Sequence, residues 1–265
     1  MKTRIISGLA MLPLLLIVYF GGYPLTIAAA CLGYMGVTEF FNGFDNTGIH
    51  PSKKIAYIMI TILYAWQMLV GPEPMFLCAW VVVSAMASMI YGWDLKDHEP
   101  ADSMATFTGI IYLGFFIYHL VLIDASMFPM LTWLVLLAAF ISDIGAYFTG
   151  YFLGKHKLCP HLSPKKTIEG AVGGVVFATI LCGLFGYIFV PEIFGHCVIM
   201  GAIGSAISQC GDLTASAFKR KMGIKDYGHL IPGHGGVLDR FDSVIFVAPF
   251  VFYYVTFIIQ GGVFM

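Results

Sequence analysis

The sequence predicts an all-α, polytopic integral membrane bundle of about nine transmembrane helices. Two observations predict it. Only 11% of the 265 residues are charged and 59% are hydrophobic, whereas a soluble domain carries about 25% charged residues; mean hydropathy is +0.85. The apolar residues also fall into runs close to the ~20 residues that cross a bilayer, and the basic residues fall between alternate runs.

Taken in order, the runs are 5–20, 25–41, 55–70, 75–91, 105–123, 128–153, 167–190, 197–216 and 243–260. Met1, Lys2, Thr3 and Arg4 before the first run resemble a signal peptide, with Ala28–Ala30 and Cys31 as a cleavage or lipoprotein site. More membrane-like sequence follows at once, so a first transmembrane helix is the better reading. Short Gly/Pro links such as Gly21–Pro24 and Gly71–Pro74 suit antiparallel neighbours. The six cysteines show no metal spacing and are read as packed thiols.

All fourteen Lys and Arg lie before helix 1 or in the gaps after helices 2, 4, 6 and 8. The other gaps hold only Glu73, Asp124 and Glu192 as charges. Basic residues mark the cytoplasmic side. The N-terminus is therefore expected in the cytoplasm and the C-terminus outside. Residues 1–127 are assigned as a scaffold, with dimerisation as an option, and 128–265 as the catalytic region.

Ionisable residues inside membrane helices are functional candidates. Asp143 shares a helical face with Ala139, Ala146 and Gly150, a small-residue face suited to close packing. Helix 8 carries a stripe of Gly201, Ser205, Ser208, Asp212 and Ser216. Glu39 is a weaker candidate, because it lies near a helix end with water in reach. Ser163, Lys165, Lys166 and Thr167 precede a glycine-rich helix start at Gly170, Gly173 and Gly174. Such a start suits a phosphate, or two lysines serve only as a headgroup anchor.

The largest polar concentration is SAFKRKMGIKDYGHLIPGHGGVLDRFD, residues 216–242, read as a cytoplasmic active-site loop between helices 8 and 9. Asp239 and Asp242 are three apart and could share a helix face, with Asp212 approaching from helix 8. Hard cations such as Mg²⁺ take one or two carboxylates plus substrate phosphates. His234, without a His or Cys partner, reads as a hydrogen-bonding residue.

This stretch closely resembles the signature of the phosphatidate cytidylyltransferase (CDP-diacylglycerol synthase) family. Ser216, Lys219, Arg220, Lys225, Asp226, Gly228, Pro232, His234, Gly235, Gly236, Asp239, Arg240 and Asp242 all match it. SPKKTIEG is similar to a second family block, with Ile168 where the family has tryptophan. The resemblance is strong over 140–242; the N-terminal third matches only in being apolar and helical.

The resemblance implies an inner-membrane enzyme with its site facing the cytoplasm. It would convert CTP and phosphatidate to CDP-diacylglycerol and pyrophosphate with Mg²⁺, and a second cation could join. It implies metal ligation by Asp212 and Asp239, then Asp143 and Asp242. Lys219, Arg220, Lys225 and Arg240 would neutralise phosphates, with Asp226 and His234 in the same catalytic group. Ser163, Lys165, Lys166, Thr167, Gly235 and Gly236 would line a phosphate. No nucleic-acid partner is expected. A CTP-dependent polyprenol kinase is the enzymatic alternative. An ion-coupled transporter is the other, though no related halves are visible. The DGxxAR run of CDP-alcohol phosphotransferases is absent.

Overall fold

The structure, a computed structural model, describes residues 12–228 and 235–261. Helices α1 (Leu12–Phe20), α2 (Gly22–Asn42), α3 (Lys53–Leu69), α4 (Pro74–Tyr91) and α5 (Pro100–Asp124) are followed by α6 (Leu131–Leu153). Strands β1 (Lys157–Cys159) and β2 (Ser163–Thr167) lead to α7 (Ile168–Phe189), α8 (Phe194–Met222) and α9 (Leu238–Tyr254). Among the described residues, seven helices are long and apolar enough to cross a membrane: α2 and α4–α9. By contact the chain forms two units. One comprises the described residues of Met1–Ala125 and Lys221–Arg240, the other those of Ser126–Arg220 and Phe241–Phe264.

In the first unit, the short links work as helix caps. A helix start leaves backbone N–H groups without partners. Asp124 accepts from Gly22 N at 2.6 Å, so α2 begins at Gly22 rather than at the predicted 25. Glu73 accepts from the N–H groups of Met75 (3.1 Å) and Phe76 (2.5 Å), with Pro74 opening α4. Buried Asp102 accepts from His50 N at 2.7 Å and Glu99 N at 2.9 Å, tying the α2–α3 link to the start of α5. A π-helical stretch, Ile110–Phe115, interrupts α5. There Leu113 packs on the glycine face of α2: a Cβ on Gly33 or Gly36 would stand 3.3 Å from Leu113.

In the second unit, α6 and α7 meet along a seam of small residues. A Cβ on Gly170 would stand 2.8 Å from the Ala146 carbonyl, and one on Gly174 2.7 Å from that of Ser142. The face predicted around Asp143 is thus a packing face, with the glycine-rich start of α7 as its partner. Helix α8 joins this pair through Ser205 Oγ, which donates to Ser142 Oγ at 2.7 Å, and Gln209 Nε2, which donates to the Ala171 carbonyl at 3.0 Å. On its other side, a Cβ on Gly211 would stand 2.6 Å from the Asp242 carbonyl of α9.

Three expectations change. The 6–7 connection is not a plain loop but an antiparallel hairpin, pairing Lys157 with Thr167 and Cys159 with Ser163. Glu169 closes it, accepting from Lys155 N at 3.0 Å and His156 N at 3.2 Å. Helix α8 runs to Met222, so Ser216–Met222 is helix and the loop begins only at Gly223. Helix α9 starts at Leu238, which puts Asp239 and Asp242 in its first two turns. Charged residues at a helix end are still helical when their side chains can reach water, so an apolar run underestimates helix length.

Candidate functional site

The hairpin delivers the lysines of the second unit. Thr167, last in β2, caps α7 by accepting from Gly170 N at 3.1 Å, which fixes the strand against the helix start. Lys165 and Lys166 precede it. With Asp143, Gln209, Asp212, Lys157 and Ser163 they line a cavity of about 590 Å³, within the range that holds small ligands. Tyr147 and Tyr151 of α6 complete the wall.

Inside this cavity the Lys166 ammonium is ion-paired with the Asp212 carboxylate, each side chain about a quarter exposed. Asp212 Oδ1 also accepts from Ser216 Oγ at 3.4 Å. Deeper, buried Asp242 accepts from Ser243 N at 2.8 Å, and Ser243 Oγ donates to Asp143 Oδ2 at 3.4 Å. Asp242 lies within Coulombic reach of Asp212, Asp143 and Lys219. Three predicted acidic residues therefore gather in one unit with Lys166 and Lys219. Arg220 turns to the hairpin, its Nε donating to the Leu162 carbonyl at 3.4 Å.

These carboxylates are not drawn into a ready-made shell. Among the described residues, no three His, Cys, Asp or Glu side chains are placed to hold a metal ion. Oxygen-only donors with mutual repulsion still fit a hard divalent cation. Mg²⁺ is commonly held by one or two carboxylates, with water and substrate phosphate filling the rest.

The remaining predicted residues belong to the first unit. Asp239 Oδ2 accepts from Tyr227 N at 2.9 Å and Gly236 N at 3.0 Å, closing the turn that precedes α9. Gly235 has φ +82°, a conformation suited to glycine, and a Cβ there would stand 2.9 Å from Asp239 Oδ2. Lys225 and Asp226 are exposed and Arg240 is half-buried. His234 and Pro232 lie outside the described residues.

Gln209 escaped the sequence reading, and Glu39, a weaker candidate there, has surroundings other than those expected. Gln209 reaches both Ala171 and the cavity wall. It sits one turn after Ser205, and its polarity within a membrane helix was the available signal. Glu39 does not reach for water. It is 9% exposed and accepts from Val237 N and Leu238 N, both at 2.9 Å. Those partners are 198 and 199 residues away in the chain, so only its isolation in an apolar helix hinted at a role.

A profile of the Cytidylyltransferase family matches residues 2–258. The chain is 32% identical over 269 residues to a protein of Bacillus subtilis (strain 168) named phosphatidate cytidylyltransferase, covering 96% of this chain and 97% of that one. Proteins of the same name from Synechocystis sp. (strain ATCC 27184 / PCC 6803 / Kazusa) and Staphylococcus aureus (strain COL) are 32% and 31% identical. They cover 97% and 93% of this chain, and 97% and 94% of their own lengths.

Proposed function

The chain belongs to the cytidylyltransferase family, and from that premise we propose that it joins CTP to phosphatidate, giving CDP-diacylglycerol and pyrophosphate. A phosphatidate oxygen attacks the α-phosphorus of CTP. The bond from that phosphorus to the bridging oxygen breaks, and pyrophosphate departs with the electron pair. The attacking oxygen is already ionised at neutral pH, so the residues need not remove a proton. Their task is to bring two anions together and hold them in line.

The observation that carries this reading is the cavity of the second unit, where Lys157, Lys165 and Lys166 face Asp143 and Asp212. Lys165 and Lys166 bind substrate phosphate. The Lys166–Asp212 pair serves as a placeholder: Lys166 swings to the phosphate and leaves Asp212 for a cation. Asp212, Asp143 and Asp242 would hold Mg²⁺, which when bound neutralises charge on the phosphates. Lys219, within reach of Asp242, limits the repulsion among the three carboxylates before substrates arrive.

We extend the proposal to placement. The segregation of basic residues supports a cytoplasmic N-terminus and a site open to the cytoplasm, at the cytoplasmic membrane. Soluble CTP would there meet a phosphate whose acyl chains stay in lipid. The test is purified protein with phosphatidate, CTP labelled at the α-phosphate, and Mg²⁺. The expected products are labelled CDP-diacylglycerol and unlabelled pyrophosphate. With a polyprenol supplied in place of phosphatidate, release of labelled CDP together with an unlabelled polyprenyl phosphate would instead identify a kinase.

A further inference from the structure

We propose that Glu39 is a positioning residue for the transfer reaction: from α2 it grips the start of α9 and so fixes Asp239 and the glycine turn before it. The inference rests on the reading that residues 222–242 carry catalytic groups.

Glu39 sits between Thr38 and Phe40 near the end of an apolar helix, and Phe40 and Phe41 beside it are 0% and 2% exposed. Burying a carboxylate there is unfavourable unless hydrogen bonds satisfy it. Both oxygens are used: Oε1 accepts from Val237 N and Oε2 from Leu238 N. These N–H groups lie at the N-terminus of α9, where the helix leaves them unpaired and its dipole favours negative charge. A two-pronged grip fixes orientation as well as distance.

The next residue is Asp239, whose Oδ2 holds Gly236 N and Tyr227 N. Glu39 therefore clamps the turn from outside while Asp239 clamps it from within. Two glycines of the signature make room for the grip. A Cβ on Gly228 would stand 2.6 Å from Glu39 Oε1, and one on Gly236 2.5 Å from Oε2. The carboxylate thus lies beside both Gly228 and Gly236. The same end of α2 holds the segment elsewhere: the Phe40 ring lies 6.2 Å from that of Tyr227, and Gly43 abuts Met222 and Ile224. A simple cap could have come from a local Ser or Asp. A partner from a distant helix couples α2 to the placement of the acidic residue that follows.

Displacing a reacting constellation by ~1 Å can cost about a hundredfold in rate. The test uses purified full-length protein in mixed micelles, with kcat, KM and thermal unfolding measured for each variant. Glu39→Gln keeps the shape but turns an amide N–H toward one backbone N–H. Its kcat per folded enzyme should fall about tenfold or more, with KM for phosphatidate within about twofold of wild type. Glu39→Asp keeps the charge with a shorter reach and should fall between. A folded Glu39→Gln with kcat within about twofold of wild type overturns the proposal.

If Glu39→Gln does not fold, Gly228→Ala presses a methyl on the intact carboxylate and must lower kcat in the folded protein. Normal kcat, or failure of both variants to fold, makes Glu39 a folding residue and overturns the proposal. Two controls separate the underlying readings. A wild-type protein that makes no CDP-diacylglycerol removes the proposed function. An active Asp239→Asn removes the catalytic reading of the segment. A dead Asp239→Asn beside a fully active Glu39→Gln removes the role of Glu39 alone.

Discussion

Asp212 and Lys166 are ion-paired in the cavity, and the proposed chemistry places the cation and the substrate phosphate on that pair. Replacing Lys166 by Gln removes the ion-pair partner of Asp212 and one of the cations proposed to hold the phosphate. Charge-assisted contacts of this kind are worth about 1.5–3 kcal/mol, so kcat/KM should fall at least about tenfold. Steady-state kinetics with CTP varied at saturating phosphatidate would check it, and an unchanged ratio would remove the cavity from the reaction. Asp239→Asn is expected to abolish CDP-diacylglycerol formation while the protein still reaches the membrane. Its Oδ2 closes a turn through two N–H groups, so the loss of charge and the loosening of the turn act in the same direction. Near-normal turnover in membranes containing that variant would contradict it.

The α6–α7 seam shows what an element contributes. Gly170 and Gly174 face backbone carbonyls, which cannot move aside as a flexible side chain can. Gly174→Val should therefore destabilise by about 1–3 kcal/mol through overpacking, seen as a lower unfolding midpoint in detergent. Gly195→Ala in α8 meets nothing within 4 Å and should stay within about 0.5 kcal/mol of wild type. A neutral Gly174→Val would mean that the helices part easily. The same seam explains why the small-residue face was legible early: Ala139, Asp143, Ala146 and Gly150 recur at helical spacing. Its partner was not legible, because the glycines after Thr167 read as the start of a phosphate-binding helix. Only the packed helices show them pressed against Ala146 and Ser142.

For the whole molecule, the segregated charges give a testable topology. In a cysteine-free background, Lys54→Cys should react with an impermeant thiol reagent only from the cytoplasmic side, and Glu192→Cys only from the outside. Labelling of both from one side would overturn the proposed arrangement. Chelation of divalent cations should abolish turnover and added Mg²⁺ restore it, measured as labelled lipid; full activity in chelator would contradict the assigned cation. A hard ion held by few protein oxygens depends on its free concentration.

The sequence by itself determined the membrane class, the membership of most helices and, through the signature, the family. Those follow from local quantities: apolar run length against bilayer thickness, and charged residue types that lipid rejects. Tertiary structure alone decided which residues meet. It gathered Asp143, Asp212 and Asp242 within one unit, turned the lysine loop into a hairpin, and gave Glu39 its partners almost two hundred residues away. Contacts between distant parts of a chain depend on how helices pack, and a buried carboxylate announces its need for donors without naming which N–H groups will supply them.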